Sequence, residues 1–453
     1  MKRCSLILAV AMAISVAGQA QAENLLDVYR LALDSDPQVK AAEAAWHAMQ
    51  ETRQQSRALF FPQVTLSGNV MRNRQEIISS SSSSLLFPSG STFYFTNKTL
   101  SLNLNQPLYH HDYYVQLRQS DARVRQAEAE YHVAQQGLLL RVAELYFIVL
   151  SETDTLQFSQ AEKQAIARQL EQIRQRFEVG LVAITDVHEA QARFDLASSQ
   201  EIEAQTRLAS SREVLREVTG MLPTKLSVLS DSAVSTVTLP QPEPQDVEAW
   251  VDTTRNQNFK IIAAQATTDV AAQNVEAQRA GHYPTLDAVL NHGYGSSGGA
   301  FGDRETLDSA IGLQLSVPLY SGGAVNSRVR EAQHRLVESK QVLEQQQRAA
   351  VRETRNSYMR VLASISQVYA LRQATVSNQS ALDATQAGAE VGTRTTVDVL
   401  NAQRDLYRAQ RDLSRARYEY VLNMVRLKQA AGMLSLADLE QINGWLQDVP
   451  LVP

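Results

Sequence analysis

Eight histidines and one cysteine are scattered along this 453-residue chain, and they are its scarce reactive side chains. His110-His111 is the only adjacent histidine pair, and it falls where a strand pattern should become a helix. That position predicts an interfacial or capping role, not metal ligation. His188 falls near a helix start, where a solvated position is the default. No HExxH or phosphate-binding GxxxxGK[ST] pattern occurs. Gly293, Gly295 and Gly298 spell a lone G-x-G-x-x-G. A dinucleotide site needs a helix to open there, whereas Gly299, Gly302 and a further strand pattern follow. The glycines read as a hairpin loop. Catalysis is not expected, nor is any cofactor.

Charged and polar residues gather instead at two Val-Gly turns. The first is Val179, Gly180 and Leu181, followed by Thr185 and Asp186; the second is Val391, Gly392 and Thr393, followed by Arg394, Thr395, Thr396 and Asp398. Each aspartate lies just after its turn, where the N-terminus of a helix favours a carboxylate. That alone would account for them. A second reading concerns ion passage. Several copies of Asp398 would form a ring favouring cations, and Arg394 could tie one tip to Asp186 of another.

These turns belong to a duplicated unit. RFEVGLVAITDV (176–187) matches GAEVGTRTTVDV (388–399), Ala190-Gln191 matches Ala402-Gln403, and Gly220-Met221-Leu222 matches Gly432-Met433-Leu434. QPLY (106–109) matches VPLY (317–320) at nearly the same offset, and FFP (60–62) matches HYP (282–284). The first half carries an extra loop that includes Ser79–Pro88. The chain divides into a first repeat at 23–239, a proline-rich linker at 240–244, a second repeat at 245–434 and a short C-terminal segment at 435–453. Each repeat starts with a helical stretch, Leu25–Leu59 or Val247–Ala280, and the first is interrupted at Ser35-Asp36-Pro37. Two alternating segments follow, then a long helix, the Val-Gly turn, and a returning helix that ends at Gly220 or Gly432.

The alternating segments are Val64/Leu66/Gly68/Val70, Leu100/Leu102/Leu104, Leu286/Ala288/Leu290 and Ile311/Leu313/Leu315/Val317. Period two sets one face in an apolar medium and the other in a polar one. Phe60, Phe61, Tyr109, Tyr283 and Tyr320 collect at one end of these segments, and Phe93, Tyr94 and Phe95 at the other. Apolar-out strands with aromatic ends are what an outer-membrane barrel requires. Four strands do not close a barrel, because about eight is the practical minimum. Two, three or four copies would all satisfy closure. In the long helices Leu117, Val124, Tyr131, Leu138 and Leu145 recur every seven residues, as do Val329, Leu336, Leu343 and Ala350. Such helices can wall a hollow cylinder or form a plain antiparallel coiled coil, and periodicity does not choose.

The N-terminus reads as a secretory signal peptide over 1–22: MKR, an apolar run and Ala20-Gln21-Ala22. Cys4 leaves with it, so disulfides and cysteine metal sites are not expected. Loss of Lys2 and Arg3 takes the formal charge from -5 to -7. That balance, without a basic stripe, argues against nucleic acid as a partner. No segment after residue 22 has 18 consecutive apolar residues, so a membrane would have to be crossed by strands.

QRFEVGLVAITDV, EVGTRTTVDVL, GHYPTLD and VPLYSGGAVNS resemble the TolC family of outer-membrane channels, and the likeness runs from about Glu23 to Gly432. The resemblance implies a mainly α fold with a membrane β-barrel, built as a homotrimer. Each subunit gives four strands to a twelve-stranded barrel in outer-membrane lipid and long coiled-coil helices to a periplasmic α-barrel. A mixed equatorial band would include the linker and 435–453. It implies an export duct of a tripartite efflux pump or a type I secretion system, served by a periplasmic adaptor and an inner-membrane transporter. Residue by residue, Asp398 matches the first aspartate of a constriction ring, while the second position, one helical turn on, is Asn401 here. Asp186, Thr185 and Arg394 match a gate network, and Ala389 stands where the family carries a tyrosine. Val179, Gly180, Leu181, Val391, Gly392 and Thr393 would form the adaptor-docking tips. A competing expectation is a periplasmic coiled-coil adaptor or scaffold with no membrane strands.

Overall fold

The computed structural model describes residues 24–78, 90–223, 226–229, 239–299 and 302–447. The signal-peptide reading at 1–22 and most of the extra loop after β1 lie outside these residues. In chain order the elements are α1 (Leu25–Ser35), α2 (Pro37–Ala58), β1 (Gln63–Glu76), β2 (Thr92–Tyr109), α3 (His111–Glu178), α4 (Ile184–Thr219) and β3 (Val228–Leu229). They continue as α5 (Val247–Gln257), α6 (Phe259–Arg279), β4 (Thr285–Ser297), β5 (Arg304–Ser316), α7 (Ala324–Glu390), α8 (Thr396–Ala430), α9 (Leu436–Asn443) and β6 (Leu446–Gln447). The fold is mainly α, and α3 at 68 residues would extend about 100 Å if straight.

One residue breaks the first helix of each repeat. Asp36 has extended backbone, and its carboxylate accepts the N–H groups of Gln38 (2.7 Å) and Val39 (3.0 Å), so it ends α1 and caps α2. Asn258 does the same between α5 and α6, accepting from Lys260 at 3.0 Å and Ile261 at 3.4 Å. The sequence predicts only the first break. Pro37 announces it, whereas Asn258 precedes Phe259 and carries no comparable signal.

The chain forms two compact units that do not follow the repeat boundary. Among the described residues, unit one takes those of 24–42, 131–261 and 347–447, and unit two those of 43–130 and 262–346. Helices α2, α3, α6 and α7 contribute residues to both.

In unit one the apolar stretch Leu138–Leu150 of α3 is the core. Leu138, Val142, Tyr146 and Phe147 are fully buried with Leu25, Leu215, Val361, Tyr420, Leu427 and Leu439. α3 is long and apolar enough to cross a membrane by composition alone, but Leu138, Val142, Tyr146 and Phe147 of this stretch are buried in protein. The tyrosines reach polar partners, as buried phenols must. Tyr146 donates to the Ser227 carbonyl and Tyr420 to the Pro240 carbonyl, both at 2.7 Å. Trp250 Nε1 donates to the Pro244 carbonyl at 2.8 Å, and Tyr358 donates to that of Gln245. The 240–244 linker is thereby pinned to the core. The C-terminal segment joins it too: Lys428 pairs with Asp438, Leu439 and Ile442 are buried, and β6 pairs with β3.

Unit two holds a four-stranded antiparallel sheet in the order β1-β2-β4-β5. Val64, Leu66 and Gly68 face Leu104, Leu102 and Leu100. Leu104 meets Leu290, which in turn meets Ile311, so the alternating residues of both repeats share one face. The strands run well past the alternating cores, and among the described residues β1 and β5 are open edges. Phe60, Tyr109 and Tyr283 lie at the end where β2 meets α3, and Phe93–Phe95 lie at the other. His110 Nε2 donates to the Asp287 carboxylate at 3.1 Å, and its ring stacks on Tyr113 at 4.4 Å between centroids. The predicted helix seam holds at Leu138, which is fully buried, and differs over residues 115–131. Val115, Ala122 and Ala129 are the fully buried heptad line, while Leu117, Val124 and Tyr131 are half-buried on its flank. Small side chains win the inner line because they allow the shorter helices to approach: Gln119 reaches the Val270 carbonyl at 3.2 Å, and Thr268 meets Ser339 at 3.1 Å.

Candidate constriction and turn region

The two Val-Gly turns have the same backbone. Gly180 and Gly392 both sit at φ 75°. Leu181 N–H donates to the Arg176 carbonyl at 2.8 Å and Gly180 N–H to that of Phe177 at 2.9 Å. In the second turn Thr393 donates to Gly388 at 2.8 Å and Gly392 to Ala389 at 3.3 Å. This paired closure of the last carbonyls needs one left-handed residue, which glycine supplies without strain. The turns leave apolar side chains in solvent: Leu181 is 74 % exposed and Val391 is 75 % exposed.

The helices that leave the turns start differently. Ala183 caps α4 with no side-chain hydrogen bond, and Asp186 N–H donates to the Ala183 carbonyl at 3.1 Å. Thr185 is exposed beside it. Thr395 caps α8 reciprocally: its Oγ1 accepts from the Asp398 N–H at 3.2 Å, and Asp398 Oδ2 accepts from the Thr395 N–H at 2.9 Å. The Thr395 hydroxyl also donates to Asp398 at 2.9 Å. These bonds, the backbone one foremost, hold the Asp398 carboxyl below the usual aspartate range, with a smaller contribution from the Arg394 charge. The stem of Arg394 lies over Gly388, where an added Cβ would be 2.8 Å from Arg394 Cγ. Among the described residues no ion pair joins Arg394 to Asp186 within the chain.

Behind the turns α4 packs on α8. Ala190 and Ala197 are buried against Leu400, with Val187 and Phe194 beside them. Val399 and Leu406 pack with Leu382 of α7, and Ala389 is partly buried on that cluster. The small α4 residues let Arg193 reach across, and its Nη2 donates to Asn401 Oδ1 at 3.2 Å. The structure thus places Asp398 and Asn401 one turn apart, with Arg193 on the second of them. Sequence reasoning does not single out Arg193. The available signal is its spacing, seven residues after Asp186 on one helix face.

The same arrangement of elements is found in known proteins. The model of the outer membrane efflux protein family matches residues 28–221 and 250–433, one match per repeat. The chain belongs to the outer membrane efflux protein family. It is 40 % identical over 432 residues to the outer membrane protein TolC of Vibrio cholerae, covering 94 % of each chain. It is 30 % identical to the alkaline protease secretion protein AprF of Pseudomonas aeruginosa, over 93 % of this chain and 87 % of that one. The crystal structure of the Campylobacter jejuni CmeC outer membrane channel superposes with a TM-score of 0.77 at 18 % identity, over 93 % of this chain and 89 % of that one, which shows a shared fold. Membership in the outer membrane efflux protein family makes this chain an export duct of the outer membrane. It gives the open-edged sheet its setting, since strands in a bilayer must have every backbone group paired.

Proposed function

We propose that three copies of the chain assemble into one duct, each adding four strands to a twelve-stranded barrel and its long helices to a periplasmic tube. The observation that carries this is the sheet. Its apolar face is bare in the single chain, with Ile311 85 % and Leu66 67 % exposed, and β1 and β5 end it as unpaired edges among the described residues. Pairing β5 of one copy with β1 of the next removes every edge. Exposed apolar residues on the helices, such as Ile202, Val337 and Val376, favour neighbours of the same kind. A scaffold of helices alone has no use for such a sheet.

In this reading the Val-Gly turns are the end that opens to a periplasmic adaptor and an inner-membrane transporter. The exposed apolar residues of the turns support docking by the adaptor. Cysteines at Leu181 and Val391 should crosslink to it, and absence of crosslinks with the adaptor present opposes that assignment. Asp398 and Asn401 line the constriction, while Asp186, Thr185 and Arg394 hold it closed through bonds between neighbouring copies. Arg394→Ser and Asp186→Ala should each raise single-channel conductance in planar bilayers, and unchanged conductance in both removes the gate assignment. The cargo, drugs or secreted proteins, is set by the transporter that the duct serves.

A further inference from the structure

We propose that Arg193 sets the charge of the constriction, holding a cation at the level of Asn401 and weakening the duct's preference for cations. This rests on the reading of Asp398 and Asn401 as lumen residues. Three observations carry it. First, Arg193 Nη2 donates to Asn401 Oδ1 at 3.2 Å, from one repeat to the other. Second, that amide is neutral, and among the described residues no carboxylate lies within ion-pair distance of Arg193. Its guanidinium is therefore not ion-paired within the chain. Third, the contact is built by the packing of α4 on α8, because Ala190 and Ala197 are buried against Leu400, the neighbour of Asn401.

The carboxylate on the same face of α4 is Glu189, one turn before Arg193, and it lies beyond ion-pair distance. On α4 the nearest carboxylates in sequence are Glu189 and Asp195, and Asp195 accepts from Gln191 at 2.9 Å. On α3, Arg174 donates to Gln191 at 2.6 Å. On α8, Asp398 is one turn before Asn401 and is engaged by Thr395, while Asp405 pairs with Arg404 at 3.3 Å. In a trimer the constriction would then carry one Asp398 and one Arg193 per copy, one turn apart. Opposite charges so close largely cancel for an ion passing along the axis, since Coulomb energies depend on the summed field. Arginine suits the place, for its planar fork presents several donors to an amide oxygen.

The test is a charge cycle in planar bilayers, read as reversal potential in a KCl gradient and as block of the current by added Mg2+. Arg193→Gln should shift the reversal potential toward the K+ value and strengthen block. Arg193→Lys should retain weak selectivity, because it retains the charge. Asn401→Asp should act through its background. With Arg193 present the new carboxylate is paired and block rises little, whereas with Arg193→Gln the Mg2+ concentration for half-block should fall roughly tenfold further. Equal effects of Asn401→Asp in the two backgrounds overturn the proposal, as does an Arg193→Gln channel with wild-type reversal potential and block. Asp398→Ala separates this from the ring itself. If it lowers selectivity while Arg193→Gln does nothing, only the Arg193 assignment falls; if it changes nothing, the ring falls and the Arg193 role with it.

Discussion

Thr395 engages Asp398 twice, through its backbone N–H and its hydroxyl, and both bonds favour the ionised carboxylate. The folded-state acid constant is therefore depressed. A group of that kind contributes stability above its unfolded value, and the contribution is lost as pH falls through the folded one. The charge of Asp398 follows the same course. Cation preference should stay flat as pH is lowered to about 4, the range in which an ordinary aspartate titrates, and decline only below it. Thr395→Val, which removes the hydroxyl, should move the decline to higher pH. Reversal potentials measured across the acid range decide this, and a decline centred above about pH 5 in the unaltered protein contradicts it. Of these residues Asp398 and Thr395 are legible in the sequence, because a capping box is a spacing. Arg193 is not, because its partner is 208 residues away and only helix packing joins them.

At the scale of elements, two glycines that end returning helices meet the helix breaks of the same repeat. Gly432, at φ 79°, follows the end of α8, and a Cβ there would lie 2.5 Å from the Gln257 carbonyl oxygen and 2.7 Å from Asn258 Cα. Gly220 meets Ser35, with the nearest atom a hydroxyl at 2.9 Å that can rotate away. Gly180 has the same left-handed backbone and open space. Alanine at Gly180 should thus cost only the backbone strain, about 1–2 kcal/mol. At Gly432 it should cost more, since backbone of the neighbouring break has to move. Thermal unfolding followed by far-ultraviolet circular dichroism should rank Gly432→Ala below Gly220→Ala and both below Gly180→Ala. Equal melting for all three would show that the close approach has no energetic weight. The helix ends can be read from glycine placement, whereas the Asn258 break cannot, because asparagine leaves φ free and acts only through a cap that needs the folded turn.

At the scale of the whole molecule the sheet has two faces with opposite requirements. Ile311 is on the apolar face opposite Leu290, and Gln314 is on the polar face opposite Asp287. A lysine at the mid-bilayer position of a lipid-facing strand costs about 2–4 kcal/mol. Ile311→Lys should therefore reduce the amount of chain assembled in outer-membrane fractions. Gln314→Lys should assemble at the normal level and change conductance, because it faces the lumen. Equal assembly of both variants would reverse or remove the facing. Alternation alone makes the two faces legible, and the strand register adds that both repeats place their apolar residues on the same one.

Duplication, the mainly α class, the four strands and the turn chemistry were determined by the sequence itself. Each rests on local rules: period two for strands, heptads for helices, glycine at left-handed turns, threonine and aspartate three apart at a cap. The tertiary structure decided what depends on distance in space. It put Val115, Ala122 and Ala129 in the inner seam in place of the larger residues beside them, since helices approach most closely over small side chains. It pinned the linker through the hydroxyl of Tyr420 and the indole of Trp250, with Tyr358 holding Gln245 beside it. It also brought Arg193 to Asn401, turning two ordinary polar residues of separate repeats into one charged contact beside Asp398. Local periodicity carries no information about which helix faces which, and the proposed charge of the constriction rests on that pairing.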